Sequence, residues 1–147
     1  MKAPGTDPVQ FEEYQRVKGY CDNVERRTIE NEDFRRVLYT GRNLQLVLMT
    51  LQPAEEIGVE VHADRDQFFR FEQGEGAVDI DDVENKVGAD FAVLVPAGAR
   101  HNVRNTGSVP LRLYTIYAPP EHLDGLVERS RADALATHEE WDGRSTE

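Results

Sequence analysis

Apolar and polar residues alternate along most of this chain with the period of two that sends successive side chains to opposite faces of a strand. Asp33 to Tyr39, DFRRVLY, reads as such a strand. A turn at Thr40, Gly41 and Arg42 leads into NLQLVLMTLQP, which is apolar on both faces: Leu44, Leu46 and Leu48 on one side, Val47, Met49 and Leu51 on the other. A strand covered twice suits a barrel wall lying in a subunit interface or under an N-terminal arm. This pattern predicts a homodimer. Ile57 to Gly76, IGVEVHADRDQFFRFEQGEG, reads as two strands joined by a tight charged turn. Ala77–Ile80 and Val83–Val87 form a hairpin across Asp81 and Asp82, although the glycine that favours such turns is missing. Phe91–Val95 alternates Phe, Val, Val on its inner face, and Leu111–Tyr117, LRLYTIY, closes the series.

About eight short strands with turn residues between them predict an all-β, antiparallel, closed or nearly closed barrel. It occupies residues 33–120. Residues 1–32 read as an N-terminal arm, with a short helix capped at Asp7 and Pro8, running to about Gly19 and placing Phe11 and Tyr14 on one face. Residues 121–147 are polar. Asp124 to His138 reads as a helix with Leu126, Ala132, Leu135 and Ala136 on its apolar side, and the tail from Glu139 to Glu147 is expected to fray.

Composition narrows the choice of partners. With 28 acidic against 17 basic residues the formal net charge is −11, the wrong sign for nucleic acid or anionic membranes. Lysine is scarce, which suits a salt-rich cytoplasm or a GC-rich genome. No apolar run approaches the ~20 residues that span a bilayer, and the first residues lack the apolar core of a signal peptide. Cys21 is the one cysteine, so no internal disulfide forms, in keeping with a cytoplasmic protein.

The chemistry concentrates in two stretches. Glu60 and His62 lie two apart, so on a strand both leave the same face. Gln67 opens the following strand with Phe69 and Phe71 on its face, and PAGARHNVRN, Pro96 to Asn105, brings His101. A carboxylate, two imidazoles and an amide are unusual lining for a core that Leu, Val and Phe could fill, and a divalent metal explains them better than packing does. The alternatives are Glu60 paired with an inward arginine, or Glu60 and Gln67 bonded to each other without metal. Asp64, Arg65 and Asp66 read as a solvated turn. Phe69, Phe71, Phe91 and Tyr117 read as core, and His122 and Asp124 as surface or a lid.

The two stretches resemble the two motifs of the cupins, small double-stranded β-helix (jelly-roll) barrels that often hold one metal ion. The first motif places Gly, His, His, Glu and Gly where this chain has Ala54, Glu60, His62, Gln67 and Gly74. The second places Gly, Pro, Gly, His and Asn where it has Asp90, Pro96, Gly98, His101 and Asn105. Spacing is kept throughout. Identity departs at both opening glycines, at the first His and at the Glu. The resemblance implies a metal site of Glu60, His62, Gln67 and His101 for manganese, iron, nickel or zinc, and a small-molecule ligand or substrate. It implies either a metalloenzyme, dioxygenase-like or sugar-phosphate-isomerase-like, or a non-catalytic binding or sensory module. A divalent ion beside one carboxylate would leave a net positive charge and favour an anionic substrate.

Overall fold

The computed structural model describes residues 16–147. Most of the helix expected from Asp7 to Gly19 lies outside the described residues, and Arg16 to Gly19 is irregular. The first helix among the described residues, α1, is Val24–Glu30, which the strand pattern did not reveal. Asn23 caps it, its side chain accepting from the Arg26 amide. Ten strands follow: β1 Arg35–Thr40, β2 Gln45–Leu51, β3 Glu60–Val61, β4 Asp66–Gln73, β5 Gly76–Ile80, β6 Val83–Val87, β7 Ala92–Val95, β8 Arg100–Asn105, β9 Leu111–Ala118 and β10 Val127–Glu128. The second helix, α2, is Arg131–Ala136.

The strands form two antiparallel sheets, one ordered β10-β1-β2-β9-β4-β7 and the other β3-β8-β5-β6. Register explains where the core ends and the site begins. Across the inner face of the larger sheet, Met49, Leu113 and Phe71 lie in one row and Val47, Thr115 and Phe69 in the next. Leu51 pairs with Leu111 beyond them. Against these rows the smaller sheet sets Val78 and Val103, paired across β5 and β8 and buried. At the other end of the same face the row changes to Gln45, Tyr117 and Gln67. There the smaller sheet pairs Glu60 with His101. One end of the sandwich is therefore closed by apolar side chains, and the other carries a polar layer.

The hairpin read across Asp81 and Asp82 is present, and several other details depart from the sequence reading. The Asp81–Asp82 hairpin forms without glycine, both residues taking positive φ, 44° and 68°, the backbone of a two-residue turn whose twist matches the strands. Phe91 is 52% exposed and lies outside the core. It sits in the turn before β7, its amide bonded to the Gly88 carbonyl. The helix expected from Asp124 is confined to α2. Gly125 takes φ 74°, Val127 and Glu128 pair with β1, and the helix begins only after Ser130 caps it.

The tail is docked rather than frayed. The Trp141 amide donates to the Glu121 carbonyl and the Thr146 amide to the Thr40 carbonyl. The Glu147 carboxylate accepts from the Lys18 and Gly19 amides, each at 2.8 Å. No helix among the described residues is long and apolar enough to cross a membrane.

Candidate metal centre

Three of the four donors read from the sequence, Glu60, His62 and His101, come together, and Gln67 meets one of them, His101. One ligand atom each from Glu60, His62 and His101 lies within 4.8 Å of the others. Glu60 Oε2 is 3.0 Å from His62 Nε2, and Gln67 Oε1 is 3.2 Å from His101 Nε2. The β3–β8 ladder sets Glu60 opposite His101, His62 leaves the end of β3, and Gln67 enters from the other sheet.

The protons around Gln67 and His101 can be assigned from their partners. His101 Nδ1 lies 3.0 Å from the Ala99 carbonyl oxygen, which only accepts. In the neutral ring the proton is therefore on Nδ1 and Nε2 is a bare lone pair. The Thr115 hydroxyl donates to the Phe68 carbonyl and accepts from Gln67 Nε2. That fixes the amide with its oxygen toward His101. Two acceptors thus face each other inside the barrel, and a positive species belongs between them: an added proton on the ring, or a metal ion. One carboxylate oxygen, two imidazole nitrogens and an amide oxygen are a donor set that suits a divalent transition metal.

A cupin-domain family model matches residues 47–117. YrkC of Bacillus subtilis (strain 168) is 44% identical over 128 residues, covering 83% of this chain and 69% of that protein. L612 of Acanthamoeba polyphaga mimivirus is 36% identical over 116 residues, covering 76% of this chain and 72% of that protein. The crystal structure of BH2720 from Bacillus halodurans superposes with a TM-score of 0.80 at 45% identity, over 82% of this chain and 96% of that one.

The chain belongs to the cupin family.

Where this cupin departs from the family pattern in identity, it keeps the backbone. Ala54 and Asp90, standing at the two opening glycines, have φ of 69° and 70°, the left-handed region that glycine enters freely. Gly74, which does match, has φ 93°, and a Cβ there would lie 2.7 Å from the Pro110 carbonyl oxygen.

Electrostatics support a charged Glu60. Burial works against its carboxylate, but the His62 ring bonded to it and the nearby charge of Arg35 hold it below the ordinary value. The same contact with Glu60 raises His62, against the opposing effect of burial. Arg35 is inward, as one alternative reading required, but its ion pair is with Glu128 at 2.5 Å. Its Nε is buried without a hydrogen-bond partner.

The sequence reading missed the second ring of side chains. Glu121 Oε2 lies 3.6 Å from His62 Nδ1 and 2.9 Å from Arg65 Nε. Arg65 also donates to the Pro120 carbonyl, so it is a strut and not part of a solvated turn. Gln45, fully buried, accepts from the Glu121 and His122 amides and donates to the His122 carbonyl. His122 is 8% exposed, which overturns its reading as surface. Asp124 remains outside, bonded to the Thr146 hydroxyl. The signal was present: Gln45 interrupts an otherwise apolar inner face, and an inward amide needs polar partners. Beside Glu60 opens a cavity of about 360 Å³ that Arg35, Glu121, His122, Arg131 and Glu139 help to line.

Proposed function

We propose that this cupin holds one divalent metal ion through Glu60, His62, His101 and Gln67, and is an enzyme acting on a small oxygen-bearing molecule in the adjoining cavity. The contact that carries the reading is Gln67 Oε1 against His101 Nε2 at 3.2 Å, which a cation converts from repulsion to attraction. When bound, such an ion polarises a carbonyl or hydroxyl oxygen. The protein's own groups do the rest. Glu121, tied to Arg65, is a carboxylate placed to orient His62 or to take a proton at the cavity edge. Its presence beside His122 favours acid–base chemistry of the isomerase type. A second reading, oxygen chemistry of the dioxygenase type, draws support from the set of one carboxylate and two imidazoles.

The cavity sets Glu60, Glu121, Glu128, Glu139 and Glu140 against Arg35 and Arg131. That balance argues for a neutral or singly charged ligand and against a phosphate dianion, narrower than the anionic preference the metal and Glu60 alone suggest.

Elemental analysis of protein purified without chelator, with and without Glu60→Ala, tests the metal. Aldose–ketose interconversion against oxygen uptake on enols and catechols separates the two chemistries. A metal-replete protein inert in both is a binding or sensory module, and that result overturns the catalytic reading.

We also propose a second copy of the chain as partner. Tyr39, Leu46, Ile116, Phe68 and Leu94 lie in one registered row across the outer face of the larger sheet. Leu94 is 72% exposed. On β4, Asp66 and Arg70 flank Phe68 on the same face. A two-fold axis along the row lays Arg70 of one copy over Asp66 of the other, so charge complements apolar burial.

A further inference from the structure

One buried cation on the cavity wall is only half engaged. Arg35 lines the cavity beside Glu60 and is 7% exposed. Among the described residues its guanidinium makes one hydrogen bond, from Nη1 to Glu128 at 2.5 Å. Nη1 stands on the Cδ side of the group. Nε–H and Nη2 form the opposite fork, two parallel donors at the spacing of a carboxylate's two oxygens. Nε of that fork is buried and has no acceptor, and a buried donor left open is destabilising. The Phe34 ring lies 5.3 Å from the guanidinium carbon and steadies its plane. The ion pair alone does not call for the fork, because a lysine would offer Glu128 the same charge and one donor.

The charges around the cavity do not repel a single anion. Glu128 is bonded to Arg35, and Glu121 to Arg65 at 2.9 Å. Arg131 forms no ion pair among the described residues; its Nε donates to the Glu56 carbonyl at 2.6 Å. With a divalent ion at Glu60, the ion, Arg35, Arg65 and Arg131 together balance the five carboxylates that face the cavity. A monoanion therefore meets no net repulsion and gains the fork, while a second negative charge finds no partner.

We infer that Arg35 is the carboxylate-binding residue of this site and that its ligands are small hydroxy- or oxo-monocarboxylates. The carboxylate accepts from Nε and Nη2 of Arg35, and a second oxygen of the ligand faces the metal donors. The inference rests on the metal reading above for that second oxygen. Arg35 and Glu60 line one cavity of about 360 Å³, a size that suits molecules such as lactate or gluconate. A neutral sugar offers one hydroxyl where the fork presents two donors.

The test uses the full chain, zinc-loaded and zinc-free, with sodium lactate and sodium gluconate as probes and lactamide as the uncharged counterpart of lactate. Proton–nitrogen NMR follows the Arg35 Nε–H signal, identified by its loss in Arg35→Lys, and calorimetry gives the affinity. The expected result is a downfield shift of that signal with at least one carboxylate and none with lactamide. Arg35→Lys keeps the charge facing Glu128 and loses the fork. It lowers carboxylate affinity about tenfold or more and leaves zinc affinity unchanged. Zinc-free protein shows the same shift at higher probe concentration, because the fork acts without the ion.

An Nε–H signal that ignores both carboxylates overturns the assignment, and this readout needs no variant to fold. A lysine variant that binds as well as the parent, or lactamide that binds as well as lactate, also overturns it. These outcomes leave the metal reading untouched. Failure of the metal reading shows separately, as zinc binding that survives Glu60→Ala while the Arg35 response to carboxylate persists.

Discussion

With its ring proton on Nδ1, directed at the Ala99 carbonyl, His101 presents a bare Nε2 to Gln67 Oε1 at 3.2 Å. A cation between them gains from both lone pairs, and the gain depends on the charge of the residue at 67. Gln67→Glu is expected to tighten zinc or manganese binding at least about tenfold, ~1.4 kcal/mol, and Gln67→Leu to weaken it by a similar factor. His101→Leu should abolish it. Competition against a chromogenic chelator measures all three. An affinity that ignores residue 67 would remove Gln67 from the donor set.

The turn from Gln52 to Glu55, closed by the Glu55 amide on the Gln52 carbonyl at 2.9 Å, carries Pro53 at its second position and Ala54 at its third, where φ is 69°. A turn of this kind prefers glycine at that third position. An L-residue in the left-handed region costs about 1 kcal/mol. Ala54→Gly should therefore stabilise the fold by up to about 1 kcal/mol, less the extra freedom glycine gives the unfolded chain. Urea denaturation of metal-free protein measures it. Asp90→Gly should gain less, because aspartate tolerates this region better than alanine.

The barrel was legible because the rows on its inner face repeat the period of two, and because turn residues separate the strands. The donors were legible for the same reason: Glu60 and His62 share a face, and His101 and Gln67 stand at family spacing. What escaped was everything fixed by contacts across long sequence distances. Glu128 is drawn into a strand by Arg35, ninety-three positions away, so local helix propensity lost to a buried ion pair. His122 read as surface because its neighbours are polar. Its burial follows from Gln45 and Glu139, each far away in sequence. The tail looked free because its partners, Thr40, Glu121 and the Lys18 and Gly19 amides, lie on elements that no periodicity connects to it.

Acid should release that tail. Burial opposes the charge of Glu139, but the His122 ring and the Leu123 amide outweigh it and hold the carboxyl below its unfolded value of 4.5. A group with a depressed folded value contributes stability that is complete above the unfolded value and is lost as pH falls through the folded one. Docking of the C-terminal segment is therefore expected to be complete above about pH 4.5 and to be lost as pH falls below that, through the lower folded value. Trp141, the one tryptophan of the chain, reports it: its emission should shift toward that of an exposed indole in this window, before the barrel's circular dichroism changes. Glu139→Gln should flatten the dependence. A tail that stays docked at pH 3 would show that Glu139 does not anchor it.

The outer row supplies the last prediction. Antiparallel sheets commonly leave one face solvated and polar, yet here Leu46, Ile116, Phe68 and Leu94 lie in one line outside α1, which packs on the neighbouring part of the same face. An apolar row of this extent with its most exposed member at the edge strand suits a face-to-face pair of copies. Leu94→Asp sets two like charges against each other where the row ends at β7 and removes apolar area from each copy. It should convert a dimer into a monomer in analytical ultracentrifugation at micromolar protein, with the thermal midpoint of the isolated subunit little changed, because the side chain makes no core contact. Arg70→Glu should weaken association as well, by setting like charges together, and Asp66→Arg in the same chain should restore it. A parent protein that sediments as a monomer at every concentration would overturn the interface, and failure of the charge swap to rescue would overturn its two-fold register.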